Sequence, residues 1–170
     1  LTDALPHMDV LSSPVTARDM PDESYDLHML EAALLNTTKH YHCDAEDGNR
    51  AEKMVEMTAA VVGGREALKQ RPIFSLAACP TSPLQLIKTC AEVIVQSAKN
   101  WIPIDVLSMV MAGASSPISV SGALVTHNVE VLAGIILAQL TNPGTPVIYG
   151  SSSTTFDMRH GTAVVGVPEM

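Results

Sequence analysis

The clearest indication of architecture comes from one stretch of the sequence, Arg71-Pro72-Ile73-Phe74-Ser75-Leu76-Ala77-Ala78-Cys79-Pro80-Thr81-Ser82-Pro83. Its nearly continuous apolar part, Ile73 to Cys79, has the length of a strand and is typical of a strand covered on both faces. Ser82 and Pro83 then offer an N-cap and a first-turn proline for a helix that extends to about Lys99. A buried strand followed directly by a helix predicts a β/α unit in a parallel sheet.

The same alternation of short apolar strands and longer helices continues on both sides of this unit. Strands are expected near residues 9–15, 39–43, 73–79, 102–109 and 147–152, with a Ser/Thr-rich loop after the last one. Helices are expected at residues 22–35, 49–62, 65–70, 82–99 and 116–140, the last begun by Ser116-Pro117. This order of elements predicts an α/β fold with a parallel sheet.

Two architectures share this pattern, a doubly wound sheet and a (β/α)8 TIM barrel. No GxGxxG or GxxxxGK[ST] motif follows a predicted strand, so a nucleotide-binding doubly wound sheet loses support. A barrel of eight units typically takes about 250 residues. Because the chain has 170 residues, we predict a TIM barrel of which only about five β/α units are present.

The overall composition argues against some classes of function. The chain has 10 Lys and Arg against 18 Asp and Glu, and its formal charge of −8 disfavours a nucleic-acid partner. The best candidate for an apolar span, Val129 to Leu140, is too short to cross a membrane, so no membrane partner is expected. Three cysteines, Cys43, Cys79 and Cys90, are odd in number and widely spaced, which favours reduced thiols and a cytoplasmic location.

Candidate site residues gather where the predicted strands end, because reactive groups of parallel α/β folds lie at the carboxyl ends of the strands. His40 and His42 are two residues apart on a strand and therefore point to the same side. They are hydrogen-bonding groups in a pocket, structural histidines, or two ligands of a metal; no motif supplies a third ligand, and we expect no metal. The candidate set is His40, Tyr41, His42, Ser108, Met109, Met111, Tyr149, Ser151, Ser152, Phe156 and Asp157.

Other chemistry-bearing residues have two interpretations each. Cys79 is either a nucleophile at a strand end or, as we expect, a buried structural thiol. His127 and Asn128 lie within a predicted helix, and we expect them to pack across the sheet. Asp157 and Arg159 are either an acid and its partner or an ordinary surface pair.

Three aromatic residues, Tyr41, Tyr149 and Phe156, fall on the strand-end side of the predicted fold. Their ring faces would suit a methylated ammonium ion through cation–π contact. Packing in the core is the alternative role at each position.

Several long blocks occur in order along essentially the whole chain. They are Asn36-Thr37-Thr38-Lys39-His40-Tyr41-His42, Arg71 to Ser75, Cys79 to Leu84, Ile102 to Met109, Gly122 to Asn128, Leu137 to Leu140 and Tyr149 to Asp157. Together these blocks resemble the trimethylamine methyltransferase family, whose members work with a corrinoid protein. The Ser/Thr run before Phe156-Asp157, with the His40-Tyr41-His42 block, is closer to the trimethylamine branch than to the betaine branch.

The resemblance implies a TIM barrel in which residues 1–170 form the central part of a methyltransferase domain, with the first and last strands outside the chain. It implies transfer of a methyl group from trimethylamine to the Co(I) corrinoid of a partner protein, in methylotrophic methanogenesis or methylamine metabolism. The corrinoid would be carried by that partner, with no cofactor bound tightly by this chain. A cytoplasmic homo-oligomer is expected, and the pyrrolysine of trimethylamine members would lie beyond Met170.

Alternatives remain open at this point. Quaternary amines such as glycine betaine are already activated, and family members that use them do so without pyrrolysine. A non-catalytic half-barrel, acting as an assembly or binding module, is the alternative from another class. A lyase or aldolase barrel would need a Schiff-base lysine at a strand end, whereas Lys39 begins its strand and faces the other end.

Overall fold

Five parallel strands form the main sheet, and they follow one another in the sheet in their order along the chain. The computed structural model describes residues 2–166. Within that range the elements are β1 (Val10–Ser12), α1 (Tyr25–Asn36), β2 (His40–Asp44), α2 (Gly48–Val62), α3 (Arg65–Gln70), β3 (Phe74–Ala78), α4 (Lys88–Lys99), β4 (Ile104–Ser108), β5 (Met111–Ala112), α5 (Val120–Thr141), β6 (Val147–Ser151), β7 (Thr154–Asp157) and β8 (Thr162–Val164).

The main sheet has the strand order β1-β2-β3-β4-β6, and every neighbouring pair is parallel. Helix α1 packs on α2, α2 on α4, and α4 on α5, so the helices form one continuous layer. A doubly wound sheet would reverse its strand order and place helices on both faces. The curled sheet with sequential strands is therefore a half-barrel, and the prediction of an α/β barrel with about five units is confirmed.

Alternate residues of the strands give the sheet a helix-facing core and a polar inner face. Phe74, Leu76 and Ile104 are fully buried in the core between sheet and helices. Ser75 and Asp105, one position along from these residues, point to the opposite face, which is the interior of the half-barrel. The apolar side chains of β3 and β4 thus lie on the helix-facing side, while the inner face carries the polar groups.

The predicted starts of α4 and α5 are wrong, and α1 begins at Tyr25, three residues later than predicted. Helix α4 begins at Lys88, because residues 79–87 form a loop closed by a bridge between Thr81 and Gln85. The hydroxyl of Ser82, predicted as an N-cap, instead donates to the carboxylate of Glu130, 2.7 Å away. A tertiary contact has taken the group that the local signal assigned to the helix end.

The second wrong start belongs to α5. Ser119, not Ser116, is its N-cap, and the Ser119 hydroxyl oxygen accepts a hydrogen bond from the Gly122 N–H at 3.2 Å. The Ser116 hydroxyl instead donates to the Met111 carbonyl at 3.2 Å. A Ser-Pro pair marks the approach to a helix here, three residues before its first turn.

The Ser/Thr-rich segment after β6 was predicted to be a loop. This prediction is wrong, because the segment contains a strand. β7 pairs in parallel with β5 and antiparallel with β8, which makes a second, three-stranded sheet. β-branched threonines favour extended backbone, and Thr154 and Thr155 begin this strand. Phe156 and Asp157 consequently lie on a strand.

Helix α5 is apolar over a longer stretch than the candidate span Val129 to Leu140. It spans 22 residues with a mean hydropathy of 1.6, so among residues 2–166 it alone is long and apolar enough to cross a membrane by length and composition. The expectation that no such segment exists is wrong. Only 22% of the apolar window is buried, and α5 packs against β4 and β6 with its other face exposed. The absence of a membrane partner stays a prediction.

Candidate functional site

Four polar side chains meet on the inner face of the half-barrel and form the interior cluster: His40, His42, Ser75 and Asp105. The Ser75 hydroxyl lies 2.9 Å from both His40 Nε2 and His42 Nδ1. The other ring nitrogen of His42, Nε2, lies 3.6 Å from Asp105 Oδ2. Because a hydroxyl has one hydrogen, at least one of the two histidines donates to Ser75. The cluster is thus a continuous polar chain from β2 through β3 to β4.

Strand register explains how these residues come together. His42 is the register partner of Ser75, and Ala77 is the register partner of Asp105. The small side chain of Ala77 leaves space for the His42 ring to reach across β3 to the carboxylate. The predicted same-side placement of His40 and His42 supplies half of the cluster.

Asp105 is the most unusual member of the cluster. It is 8% exposed, and its Oδ1 is buried without a hydrogen-bond partner among residues 2–166. No lysine or arginine of the described residues forms an ion pair with it, and burial raises the pKa of its carboxyl group. A carboxylate held in this way is destabilised unless a cation or proton joins it.

Gly150 on β6 makes room for this carboxylate. A Cβ atom at position 150 would lie 2.2 Å from Asp105 Oδ1 and 2.8 Å from Leu107 Cδ1. Any side chain there would displace Asp105, so glycine is required by close approach rather than by backbone conformation.

Burial shifts the pKa values of two members of the interior cluster. Desolvation lowers the pKa of His40, so its imidazole is held in the neutral form. The cluster therefore combines an imidazole that resists protonation with a carboxyl group whose pKa is raised. Such a chain can share a proton or stabilise a small cation inside the half-barrel.

Three predicted site residues face the helices instead of the interior. The Tyr41 hydroxyl is hydrogen-bonded to Ser13 Oγ at 2.7 Å, within the helix-facing core. The Tyr149 hydroxyl donates to Asn128 Oδ1 on α5 at 3.0 Å. Ser108 is fully buried, and its hydroxyl donates to Glu130 on α5. These residues join strands to the helix layer and do not contact the interior cluster.

The remaining predicted residues lie at the carboxyl rim or beyond it. Met109 is 51% exposed directly after β4. The Ser152 N–H donates to the Ser108 carbonyl, and the Ser151 hydroxyl oxygen accepts a bond from the Ser153 N–H. The rim and second-sheet members of the predicted set are Met109, Met111, Ser151, Ser152, Phe156 and Asp157.

Asp157 pairs with His160, not with Arg159 as considered from the sequence. Its Oδ2 lies 2.7 Å from His160 Nδ1, whereas Arg159 contributes only its backbone N–H, 2.8 Å from Oδ1. The His160 hydrogen bond lowers the pKa of Asp157. This pair is exposed and belongs to the second sheet, away from the interior cluster.

The thiols of all three cysteines have pKa values above the ordinary value. Cys79 is exposed, so the expectation of a buried thiol is wrong, but desolvation and the charges of Asp44 and Glu130 raise its pKa. Burial raises the pKa of Cys43 and brings that of Cys90 to about 12. A raised pKa leaves little of the nucleophilic thiolate at neutral pH.

No group of three His, Cys, Asp or Glu side chains within residues 2–166 is arranged to hold a metal ion. The site residues that the sequence reasoning missed are Ser75, Asp105, Gly150 and Glu130. Asp105 could have been noticed as the one charge in the apolar run of β4, and Glu130 as the one charge in α5. Their partners depend on strand register and helix packing, which single-sequence patterns do not give.

Comparison with known proteins places this geometry in a family. The sequence model of the family described as "Trimethylamine methyltransferase (MTTB)" matches residues 1–170. Trimethylamine methyltransferase MttB of Desulfitobacterium hafniense is 46% identical over 168 residues, covering 99% of this chain and 34% of that protein. Trimethylamine methyltransferase MttB of Methanosarcina thermophila is 48% identical over 172 residues, covering 100% of this chain and 36% of that protein.

A glycine betaine methyltransferase of Desulfitobacterium hafniense is also similar, with 40% identity over 152 residues, 89% of this chain and 32% of that protein. The chain spans about a third of the length of the curated relatives it matches. The match to the family model over the whole chain, together with the half-barrel, confirms the resemblance drawn from the sequence blocks. The chain belongs to the trimethylamine methyltransferase family.

Proposed function

We propose that this chain is the central part of the catalytic barrel of a methyltransferase that moves a methyl group from trimethylamine to the Co(I) corrinoid of a partner protein. The observation that carries the proposal is the 46–48% identity to trimethylamine methyltransferases over the whole chain. Identity to the glycine betaine enzyme is lower, 40% over 89% of the chain. Trimethylamine is therefore favoured over a quaternary amine, which is the runner-up.

The reaction needs positioning more than acid–base chemistry. The C–N bond breaks, the nitrogen keeps its electron pair, and the Co(I) corrinoid of the partner supplies the pair for the new bond to the methyl group. The protein has to orient the amine and exclude water. Residues on the inner face of the half-barrel are well placed for this, because the substrates of barrel enzymes bind at the carboxyl end of the barrel.

Within the interior cluster, Asp105 supplies the counter-charge for a cationic amine. Oδ1 of Asp105 has no hydrogen-bond partner among the described residues, burial raises the pKa of the carboxyl group, and a nearby ammonium ion would lower that pKa again. His42 orients the carboxylate through Oδ2, and Ser75 orients His42 through Nδ1.

The carboxyl rim suits the second substrate. Its large exposed apolar side chains near β3 and β4 are Leu84, Ile87 and Met109, and the loop of residues 79–87 has no charged side chain. A corrin ring presented by the partner protein can approach an uncharged rim without desolvating ions. In this proposal the corrinoid stays on its partner protein and this chain holds no tightly bound cofactor.

Location and assembly are part of the same proposal. Three unpaired cysteines support a reducing, cytoplasmic compartment. The exposed apolar side chains of α5 support contacts with further protein, in keeping with a homo-oligomer.

A methyl-transfer assay with two amines tests the proposal. The full-length protein that contains this chain is mixed with its reduced corrinoid partner and either trimethylamine or glycine betaine, and formation of methyl-Co(III) is followed by absorbance. Trimethylamine should methylate the corrinoid and glycine betaine should not. Transfer from glycine betaine alone would establish the runner-up. Transfer from neither amine would contradict the proposal and favour a non-catalytic half-barrel.

A further inference from the structure

Helix α5 carries a single charged residue, Glu130, in the middle of an otherwise uncharged 22-residue sequence. Glu130 is only 3% exposed. Burying a carboxylate is costly unless hydrogen bonds replace its hydration, and here three donors do so. No lysine or arginine of residues 2–166 forms an ion pair with it.

The three donors come from two different segments. The Ser82 hydroxyl donates to Oε2 at 2.7 Å, and the Leu84 N–H donates to Oε1 at 2.8 Å. The Ser108 hydroxyl, at the end of β4, donates to Oε2 at 2.7 Å. Glu130 therefore ties the loop of residues 79–87, which follows β3, to the end of the neighbouring strand.

The loop conformation does not follow from its own side chains. Leu84 has a φ of 58°, a left-handed conformation that is unfavourable for a residue with a Cβ atom. Its side chain is 60% exposed, so burial of leucine does not compensate for this conformation. The backbone bridge between Thr81 and Gln85 closes the loop around this residue, and the Leu84 N–H itself is held by its hydrogen bond to Glu130.

Neighbouring polar residues of α5 hold the loop after β6 in a similar way. His127 Nδ1 is hydrogen-bonded to Ser153 Oγ at 3.0 Å, and Ser153 Oγ accepts a bond from the Val110 N–H. Glu130 and His127 lie one turn apart, so one helix face fixes loops at the ends of β3, β4 and β6. These loops form the carboxyl rim.

We propose that Glu130 is a positioning residue for methyl transfer. It holds loop 79–87 in the conformation that lets the methyl acceptor reach the interior cluster. The inference rests on the proposed function. It concerns the approach of the acceptor rather than the binding of the amine, because Glu130 lies on the helix side of the sheet and the interior cluster lies on the other side.

The choice of test variants follows from the donor pattern. A carboxylate only accepts hydrogen bonds, which matches three donors. In Glu130→Gln the amide oxygen can accept from Leu84 while the amide nitrogen donates to the two serine hydroxyls, which are able to rotate. Glu130→Met has a similar volume but leaves the Leu84 N–H and both hydroxyls without an acceptor. Glu92→Met on α4 is the matched control, because Glu92 forms only a half-exposed pair with Lys88.

The test measures amide hydrogen exchange of loop 79–87 and methyl-transfer kinetics in the full-length protein. Glu130→Met should raise exchange at the Leu84 amide about tenfold or more, as expected for loss of a buried hydrogen bond. The KM for the corrinoid partner should rise about tenfold, with the KM for trimethylamine unchanged. Glu130→Gln should restore most of both values, and Glu92→Met should leave them as in the parent.

Each outcome is decisive. Unchanged amide exchange in Glu130→Met would overturn the inference that Glu130 stabilises the loop. Raised exchange with unchanged methyl-transfer kinetics would overturn the role of Glu130 in the reaction. If the parent protein transfers no methyl group, the proposed function fails while the exchange data still test the hold. Should Glu130→Met not fold, Ser82→Ala removes one donor from the loop side and must raise exchange there for the inference to survive.

Discussion

Asp105 is the residue whose environment conflicts most with stability. Burial raises its pKa in the folded protein above the value of about 3.9 in the unfolded chain, so the charged form is destabilised by folding. This penalty is present in full above the raised folded-state pKa, and it is lost as the pH falls through that pKa to below about 3.9, where both states are protonated. Asp105→Asn should therefore raise the free energy of unfolding by about 1 kcal/mol at pH 7. Urea unfolding at several pH values measures this, and a loss of stability at pH 7, or a gain that does not shrink at lower pH, would be contrary to the account.

Gly150 and Asp105 should be energetically coupled, because a Cβ at position 150 would lie 2.2 Å from Asp105 Oδ1. Gly150→Ala should destabilise the fold by about 2 kcal/mol through overpacking. Shortening the neighbour in Asp105→Ala/Gly150→Ala should recover much of that loss, giving a non-additive double-mutant cycle. Denaturant midpoints of the four proteins provide the cycle. Additive effects would mean that the two side chains do not compete for the same space.

The histidines give stability a pH dependence of known sign. Desolvation lowers the pKa of His40 and His127 in the folded protein, whereas in the unfolded chain they titrate near about 6.5. The unfolded state therefore binds more protons below that pH, so stability is complete above about pH 6.5 and declines as the pH falls through the folded-state values. His40→Gln should flatten this decline in thermal unfolding between pH 7.5 and 5.5. An equally steep decline in the variant would exclude His40 as a source.

The N-cap of helix α5, Ser119, can be tested by substitution. Ser119→Ala removes the acceptor of the Gly122 N–H and should cost about 1 kcal/mol in unfolding free energy. Ser121→Ala, an exposed serine in the first turn, is the matched control and should change stability by less than about 0.5 kcal/mol. Equal effects of the two substitutions would contradict the assignment of Ser119 as the N-cap.

The elements show where sequence patterns succeed and where they fail. The run from Ile73 to Cys79 predicted β3 because a strand covered on both faces has a nearly continuous apolar sequence, and β3 is buried throughout. The start of α4 was misplaced because the Ser82 hydroxyl is used by Glu130, 48 residues away. A local capping signal carries no information about such a distant acceptor, whereas strand burial is expressed in the strand itself.

In the molecule as a whole, the sequence predicted the half-barrel and half of the interior cluster. His40 and His42 were identified because their spacing alone places them on one side of a strand. Ser75 and Asp105 were missed because their proximity to His42 depends on the register of three strands. In the assembled cluster, the buried carboxylate of Asp105 lowers the stability of the folded protein. A cationic amine bound beside it would stabilise that carboxylate.

The most direct test of this account is a single-turnover measurement of methyl transfer from trimethylamine to the reduced corrinoid partner, made with the full-length protein that contains this chain. Asp105→Asn should lower the rate of methyl-Co(III) formation about 100-fold while the folded protein becomes more stable at pH 7. Asp9→Asn, at an exposed position outside the half-barrel interior, should retain the parent rate. If Asp105→Asn transfers the methyl group at the parent rate, the interior cluster is not the site of the reaction.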